Sequence, residues 1–204
     1  MDLRNHLREK FPTLESERLL LRKIGAEDSD ALFGCVTDPL VRRQTSFQRG
    51  TLMFPARLFR YFDDTYQSLR DLHFAIERKE KGGLIGVCSL QFWAPEAGKA
   101  RLGYLLAPDF WNRGLATEAA KSLLKFGFET LRLNRIEARC SVDNPASEQV
   151  LRKCGFSLIE DGEATSINAY PGNGSGEPLK CYNLTRPEPA EEQKRICYTN
   201  EIYL

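Results

Sequence analysis

The sequence has 204 residues, of which 42% are hydrophobic and 28% charged, and its 29 basic and 28 acidic side chains give a net charge of +1 at pH 7. These values are typical of one globular domain with a short appendage, and a charge so close to zero argues against a general affinity for nucleic acid. No apolar stretch approaches the roughly 20 residues of a membrane span, and the charged N-terminus lacks the apolar core of a signal peptide. We therefore expect a cytoplasmic protein that binds neither nucleic acid nor membrane.

The cysteines and histidines show no metal-binding or redox pattern. The six cysteines are far apart in the sequence, and neither His6 nor His73 lies close to a cysteine or to the other histidine. Zinc and redox motifs require paired spacings of these residue types. We expect reduced thiols and no metal cofactor.

Apolar periodicity and turn residues predict the secondary structure. The predicted strands, in chain order, are 19–24, 73–78, 84–93, 99–107, 135–142, 156–159 and 179–184. The predicted helices are one capped by Asp28, one at 57–69, a long one at 114–131 and one at 144–154. Gly82-Gly83 joins the second and third strands as an antiparallel hairpin. This order predicts an α/β fold, a mixed sheet with helices on its faces.

The domain boundaries follow from composition. Residues 1–186 carry the predicted elements, and we expect them to form the single domain. Residues 171–178 carry Gly and Pro and are predicted to be a mobile connection. Residues 187–204 begin Pro- and Glu-rich and are predicted to be a C-terminal extension.

The connection before the long helix has the composition of an anion-binding loop. It reads Trp111-Asn112-Arg113-Gly114-Leu115-Ala116-Thr117. A loop that leads into a helix N-terminus aims unpaired amides and the positive end of the helix dipole at one point, which favours phosphate. Gly114 would let a ligand approach the backbone, and Thr117 would add a hydroxyl donor. The alternative is an ordinary helix start capped by Asn112.

A second motif, Asn144-Pro145-Ala146-Ser147, is followed by Val150-Leu151-Arg152-Lys153-Cys154-Gly155-Phe156. Together with Leu105-Leu106-Ala107 and the glycine loop, it resembles the pattern of the GNAT superfamily, a Q-x-x-G-x-G/A loop followed by an N-x-x-[AS] helix that closes on Gly-Phe. Residues 100–156 carry the resemblance, and residues 15–95 and 179–186 match the order of elements. In the branch of ribosomal-protein N-terminal acetyltransferases (RimJ/RimL-like), the first loop position is commonly aromatic. Trp111 at this position therefore resembles that branch.

The resemblance implies an acetyl-coenzyme A-dependent N-acetyltransferase in which the acceptor amine attacks the thioester directly. The strands 99–107 and 135–142 should splay apart, with the pantetheine arm paired to the backbone of 105–107 and the pyrophosphate on 112–117. The implied cofactor-binding residues are Leu105, Leu106, Ala107, Asn112, Arg113, Gly114, Leu115, Ala116, Thr117, Asn144 and Lys153. An N-cap role for Asn144 and a solvated helix end for Lys153 remain alternatives.

Two positions depart from the family pattern. Leu151 replaces the tyrosine that many members use to protonate the departing thiolate. Ser147, one helical turn earlier, resembles the serine proposed for that role in the RimJ/RimL-like branch, so we predict it as the catalytic residue. Arg101 stands where the family often has a catalytic glutamate, and arginine does not release its proton near neutral pH. This favours an α-amine acceptor, which needs less help to lose its proton than a lysine side chain does.

The acceptor amine is the implied partner, on a protein N-terminus or a small molecule. Asp63 and Asp64 could attract a cationic amine or form a solvated helix face, and Phe92 and Trp93 could line its cleft or belong to the core. A catalytically inactive coenzyme A-binding module is the competing function. A Rossmann domain is disfavoured because a hairpin precedes the glycine loop and the three-glycine fingerprint is absent. A homodimer is one option for an oligomeric state that the sequence leaves open.

Overall fold

The computed structural model describes residues 3–44, 54–159 and 178–187. Its helices are α1 (Leu3–Glu9), α2 (Ser29–Thr37), α3 (Pro39–Arg42), α4 (Pro55–Ser68), α5 (Leu115–Glu129) and α6 (Pro145–Lys153). Its strands are β1 (Leu14–Glu15), β2 (Leu19–Arg22), β3 (Leu72–Arg78), β4 (Leu84–Ala94), β5 (Lys99–Leu106), β6 (Arg135–Ser141), β7 (Ser157–Leu158) and β8 (Leu179–Thr185). None of the helices in these ranges is long and apolar enough to span a bilayer.

The strands form one mixed sheet in the order β1-β2-β3-β4-β5-β6-β8-β7. Neighbouring strands are antiparallel except for β5 and β6, which run parallel because α5 connects them as a crossover. Their ladder ends at the pair Leu102 and Ala138, although β5 continues to Leu106 and β6 to Ser141. The two strands therefore separate beyond that pair, as the sequence resemblance predicts.

Helices cover both faces of the sheet. Successive side chains of a strand point to opposite faces, so β5 contributes to two cores. Leu102 packs in the core that contains α1, α5 and α6, and Leu105 packs in the core that contains α2 and α4. Gly127 lets α5 approach the sheet closely, because an added Cβ would lie only 3.0 Å from Cδ1 of Ile136.

The mixed α/β sheet predicted from the sequence is confirmed, and most predicted elements agree with the structure within two or three residues. The short elements α1, β1 and α3 were not predicted. Asp28 precedes α2 as predicted, but its side chain makes no capping hydrogen bond. That prediction is wrong because the carboxylate pairs with Arg22 instead. The predictions for 171–177 and 188–204 lie outside the described residues.

Asp28 forms a buried ion pair that links β2 to the start of α2. Its two carboxylate oxygens accept hydrogen bonds of 2.7 and 2.8 Å from Arg22, and Oδ2 also accepts one of 2.8 Å from the amide of Gly25. Burial acts to raise the pKa of Asp28, but the bonds from Arg22 and Gly25 outweigh it and lower the pKa below its usual value. The pair therefore stabilises the fold above about pH 4, and this contribution is lost as the pH falls through the lowered pKa.

We expect Asp28→Asn to lower the free energy of unfolding by about 2 kcal/mol at pH 7, because Arg22 loses its charged hydrogen bonds to Asp28 while it keeps its pair with Glu77. Urea denaturation measures the change. Asp30→Asn is the matched control, since Asp30 is exposed on the same helix and should change stability by less than about 0.5 kcal/mol. Equal stability of the two variants would show that the ion pair does not stabilise the fold.

Candidate active site

A cleft of about 1380 Å³ opens where β5 and β6 separate. It is lined by the second half of β5, the end of β6, the loop before α5, helix α6 and part of α3, with further residues from β3 and β4. The charged side chains in the described lining are all basic, and they are Arg42, Arg43, Arg101, Arg139 and Lys153. None of the described residues that line it is Asp or Glu, so the cleft favours anionic ligands.

The loop at the start of α5 has the geometry of an anion site. Gly114 is the N-cap residue of the helix and has a left-handed backbone, with φ of 74°. The first helical hydrogen bond runs from the amide of Glu118 to the carbonyl of Gly114, so the amides of residues 115–117 have no partner within the helix. The predicted alternative, a helix start capped by Asn112, is wrong. The N-cap residue is Gly114, and no side-chain hydrogen bond caps the helix.

Arg18 and Glu118 hold this loop against the first strands. Glu118 accepts hydrogen bonds from the Ser16 hydroxyl at 2.7 Å, the Arg18 amide at 2.8 Å and the Arg18 Nε at 2.7 Å. Arg18 also donates through Nη1 to the carbonyl of Arg113 at 3.1 Å. Burial acts to raise the pKa of Glu118, but these bonds outweigh it and lower the pKa. Glu118 is therefore ionised at neutral pH and fixes the position of the loop.

The edge of β5 that faces the gap is formed by alternate residues. The amide of Ala107 donates to the carbonyl of Ile85, so the backbone N–H and C=O groups of residues 105 and 107 point toward β4. The backbone groups of residues 104 and 106 point toward the gap. The Leu106 carbonyl is already taken by the indole Nε1 of Trp111 at 2.7 Å. Of the three residues predicted to bind the pantetheine arm, Leu106 therefore offers its amide to the gap. The cofactor roles of Leu105 and Ala107 remain predictions.

Asn144 and Ser147 lie at the start of α6, beside the gap. The Asn144 Oδ1 accepts a hydrogen bond from the Ser147 amide at 2.9 Å, so Asn144 is the N-cap. A cofactor contact would use Nδ2 or the second lone pair of Oδ1. The Ser147 hydroxyl lies 2.8 Å from the hydroxyl of Tyr104, whose side chain also donates to the Ser147 carbonyl at 3.1 Å. Sequence reasoning missed Tyr104 because it lies on β5, far from Ser147 in the chain.

Tyr104 keeps its proton at neutral pH. Burial raises the pKa of its hydroxyl well above the usual range, although the hydrogen bond with Ser147 acts in the opposite direction. A neutral phenol can donate one hydrogen bond and accept another. The phenol has one proton, so it donates either to the Ser147 carbonyl or to the Ser147 Oγ. In the second arrangement the serine proton is directed away from Tyr104 and is available to a group in the cleft.

Of the remaining residues singled out from the sequence, some line the cleft and others do not. Lys153 lines the cleft, whereas Arg152 is engaged by Glu148 at 2.6 Å. Leu151 also borders the cleft, but only 1% of its surface is exposed and it packs in the core. The described lining does not include Asp63, Asp64, Phe92 or Trp93, so the structure does not support a role for them in the cleft. The described residues contain no group of three or more acidic, histidine or cysteine side chains placed to hold a metal ion.

A strand gap beside a helix start with unpartnered amides fits an extended ligand that carries phosphate. The family model that matches the chain, over residues 18–157, is that of the acetyltransferase (GNAT) domain. The chain therefore belongs to the GNAT acetyltransferase family, whose acetyl donor is acetyl-coenzyme A. The described residues fit this donor through the amides of 115–117, the free edge of β5 and the basic side chains of the cleft.

The relatives support the family and show how varied its acceptors are. The uncharacterised N-acetyltransferase YoaA of Bacillus subtilis is 34% identical over 87% of this chain and 98% of its own length. The ribosomal-protein-S5-alanine acetyltransferase of Vibrio fischeri has a TM-score of 0.71 at 16% identity, covering 87% of this chain and 98% of its own. A spermidine N-acetyltransferase of Vibrio cholerae, solved with coenzyme A and spermine, has a TM-score of 0.68 at 18% identity, covering 84% and 97%. At these identities the solved structures show a shared fold.

Proposed function

We propose that the protein transfers the acetyl group of acetyl-coenzyme A to an α-amine, on a protein N-terminus or a small molecule. The observation that carries the proposal is the absence of Asp and Glu among the described residues that line the cleft, with Arg101 where the family often has a glutamate. A cytosolic location is part of the proposal, and so is a homodimer as one possible assembly.

The chemistry of the acceptor explains why this lining matters. The amine must be neutral before it can attack, and a peptide α-amine has a pKa of about 8, against about 10.4 for a lysine side chain. Near neutral pH the neutral fractions differ by roughly 300-fold. Deprotonating lysine at pH 7.5 would cost about 4 kcal/mol. The described lining contains no acidic side chain that could act as the base for this step. An α-amine can react with little help from a protein base.

Ser147 is the proposed proton donor, and Tyr104 is the residue that positions it. Bound acetyl-coenzyme A supplies the thioester and a thiol leaving group. Ser147 lines the cleft beside the strand gap, and its hydroxyl lies 2.8 Å from that of Tyr104, which directs the serine proton into the cleft when Tyr104 is the donor. The loop at Gly114 binds the phosphates, and Lys153 adds a positive charge at the end of α6. A paired serine and tyrosine at this place supports an active enzyme over an inactive coenzyme A-binding module.

Two matched peptides test the acceptor. One has a free N-terminus and no lysine, and the other has a blocked N-terminus and a single lysine. We expect the first to react with the higher kcat/KM at pH 7.5, by at least about 10-fold, because more of its amine is neutral. Release of free coenzyme A thiol gives the rate. Faster acetylation of the lysine peptide would overturn the proposal. If neither peptide causes release of thiol, the inactive module would be favoured.

A further inference from the structure

The cleft extends from the strand gap across one face of the sheet. Successive residues of a strand alternate between the two faces, and this face is the one that packs against α2 and α4. On it, His73 of β3 lies opposite Ser89 of β4, and Ser89 lies opposite Gly103 of β5. Gln91 is the next residue of β4 on the same face, and all four residues line the cleft. We call His73, Ser89, Gln91 and Gly103 the polar pocket.

Gly103 places the polar pocket next to the strand gap. It directly follows Leu102, the last residue of β5 that pairs with β6. Its backbone is not left-handed, so conformation does not require a glycine there. The absence of a side chain instead makes room, because an added Cβ would lie 3.0 Å from the Gln91 Nε2 and 3.5 Å from the Ser89 Oγ. The amide and the hydroxyl can therefore lie directly over the strand that borders the gap.

His73 forms the buried end of the pocket, and its ring is not satisfied by the rest of the described protein. The residue has 2% of its surface exposed, and neither ring nitrogen has a hydrogen-bond partner among the described residues. The Phe62 ring of α4 packs against it edge-on, with the ring centres 4.8 Å apart. Buried polar groups in proteins are normally hydrogen-bonded. The ring therefore favours a ligand that supplies a hydrogen-bonding group.

The polar pocket is uncharged at neutral pH. Burial lowers the pKa of His73 to about 4, which the Asp71 carboxylate opposes and the Arg70 guanidinium reinforces. A neutral imidazole offers one donor nitrogen and one acceptor nitrogen, and a serine hydroxyl and a glutamine amide also offer both. Arg101 lies on the same face, but its guanidinium stacks 4.7 Å from the centre of the Phe92 ring and its register partner is Glu137. The pocket therefore matches a ligand group that is neutral and can both donate and accept hydrogen bonds.

The pocket has the length of a short side chain. Neighbouring strands lie about 4.8 Å apart, so Ser89 and His73 are about 5 and 10 Å across the sheet from Gly103. The donor phosphates are assigned to the amides of 115–117, beyond the far end of β5. The acetyl group, at the other end of the extended donor, then points toward the start of the gap beside Gly103. An amine that attacks it there can extend its side chain toward Ser89 and His73.

We propose that the polar pocket binds the side chain of the acceptor, so that the preferred substrate is an α-amine whose side chain carries a hydroxyl or a carboxamide. Ser89, Gln91 and His73 would hydrogen-bond this group. An apolar side chain would leave the buried imidazole unpaired, and a charged one would lose its hydration among neutral groups. This inference rests on the proposed α-amine acceptor and narrows its substrate class.

Peptides of the form X-Ala-Ala-amide test the preference and separate its two sources. The first pair has Thr or Val at X, and the second has Asn or Leu, so that each polar residue is compared with an apolar one of similar shape. We expect the polar member of at least one pair to react with a kcat/KM about 10- to 100-fold higher, the range for leaving a buried polar group unpaired. The pair that shows the preference identifies a hydroxyl or a carboxamide. The peptide with Asp at X should react more slowly than the preferred polar peptide.

Variants assign the preference to the polar pocket. Ser89→Ala and His73→Phe should each bring the ratio of polar to apolar peptide toward one, mainly by slowing the polar peptide. A general disturbance of the fold would slow both peptides and keep their ratio, and differences in amine basicity between the peptides are the same for every variant. Ser122→Ala is the matched control, because Ser122 is a partly buried serine on α5 outside the described lining. It should keep the native ratio, and calorimetric binding of acetyl-coenzyme A confirms that each variant is folded.

The outcomes separate this inference from the proposed function. Acetylation of the α-amines with equal rates within both pairs would overturn the pocket and leave the α-amine acceptor standing. A polar preference that survives in either folded variant, or the Asp peptide as the fastest acceptor, would also overturn the pocket. Failure to acetylate any of these α-amines, with acetylation confined to lysine side chains, would overturn the proposed acceptor and this inference with it.

Discussion

Gly114→Asp should abolish binding of acetyl-coenzyme A while the protein stays folded. The backbone of Gly114 has φ of 74°, and a Cβ there meets only the Arg18 Nη2, at 3.6 Å, so a side chain has room to point outward. A carboxylate at this place would face the phosphates that we assign to the amides of residues 115–117. At about 4 Å and an effective dielectric constant near 20, two like charges repel by about 4 kcal/mol, which corresponds to an affinity loss of more than about 100-fold.

Gly114→Asn is the matched control for this experiment. Asparagine has nearly the same size as aspartate and tolerates a positive φ, but it has no charge. We expect it to weaken binding less than Gly114→Asp, and calorimetry with circular dichroism separates affinity from folding. Affinity equal to that of the native protein in a folded Gly114→Asp variant would show that the cofactor phosphates do not bind at this loop.

Ser147→Ala should lower kcat by about 10²- to 10⁴-fold, the usual range for loss of a general acid, with a smaller change in the affinity for acetyl-coenzyme A. The fold should not suffer, because the helix is capped by the Asn144 side chain bonded to the backbone amide of residue 147, which alanine retains. Single-turnover kinetics at saturating acetyl-coenzyme A measure the chemical step. An unchanged kcat would remove Ser147 from the catalytic mechanism.

Tyr104→Phe tests the second member of the Ser147 and Tyr104 hydroxyl pair. The variant keeps the Ser147 hydroxyl but removes the group 2.8 Å away that orients it. We expect a decrease in kcat that is smaller than that of Ser147→Ala. We also expect little further loss when the two substitutions are combined, because both act through one proton. Additive losses in the double variant would mean that the two hydroxyls act independently.

The segment at residues 100–156 could be predicted from the sequence because its signals are local. Apolar periodicity indicates α5, an Asn-Pro pair starts α6, and a glycine marks the loop between β5 and α5. The elements β1 and α3 escaped prediction, since they have 2 and 4 residues, too few for a periodic pattern. The fold was therefore predictable where the chain is long and regular.

Contacts between distant segments could not be predicted. Tyr104 and Ser147 are separated by 43 positions, and Arg18 and Glu118 by 100. The sequence shows that Glu118 begins a helix but not that it holds Arg18. Asp63 and Asp64 were candidates for the acceptor site because their carboxylates could attract a cationic amine, yet neither is in the described lining of the cleft. Which side of a helix faces a site depends on packing angles that a periodic pattern leaves free.

The central claim is direct transfer from acetyl-coenzyme A to an α-amine, and one peptide tests it most directly. The peptide carries a free N-terminus and an internal lysine, so that both amines compete for the same active site. Mass spectrometry locates the acetyl group while released coenzyme A thiol is counted. We predict one acetyl group on the N-terminal nitrogen for each thiol released. Acetylation of the lysine, or release of thiol without an acetylated peptide, would contradict the account.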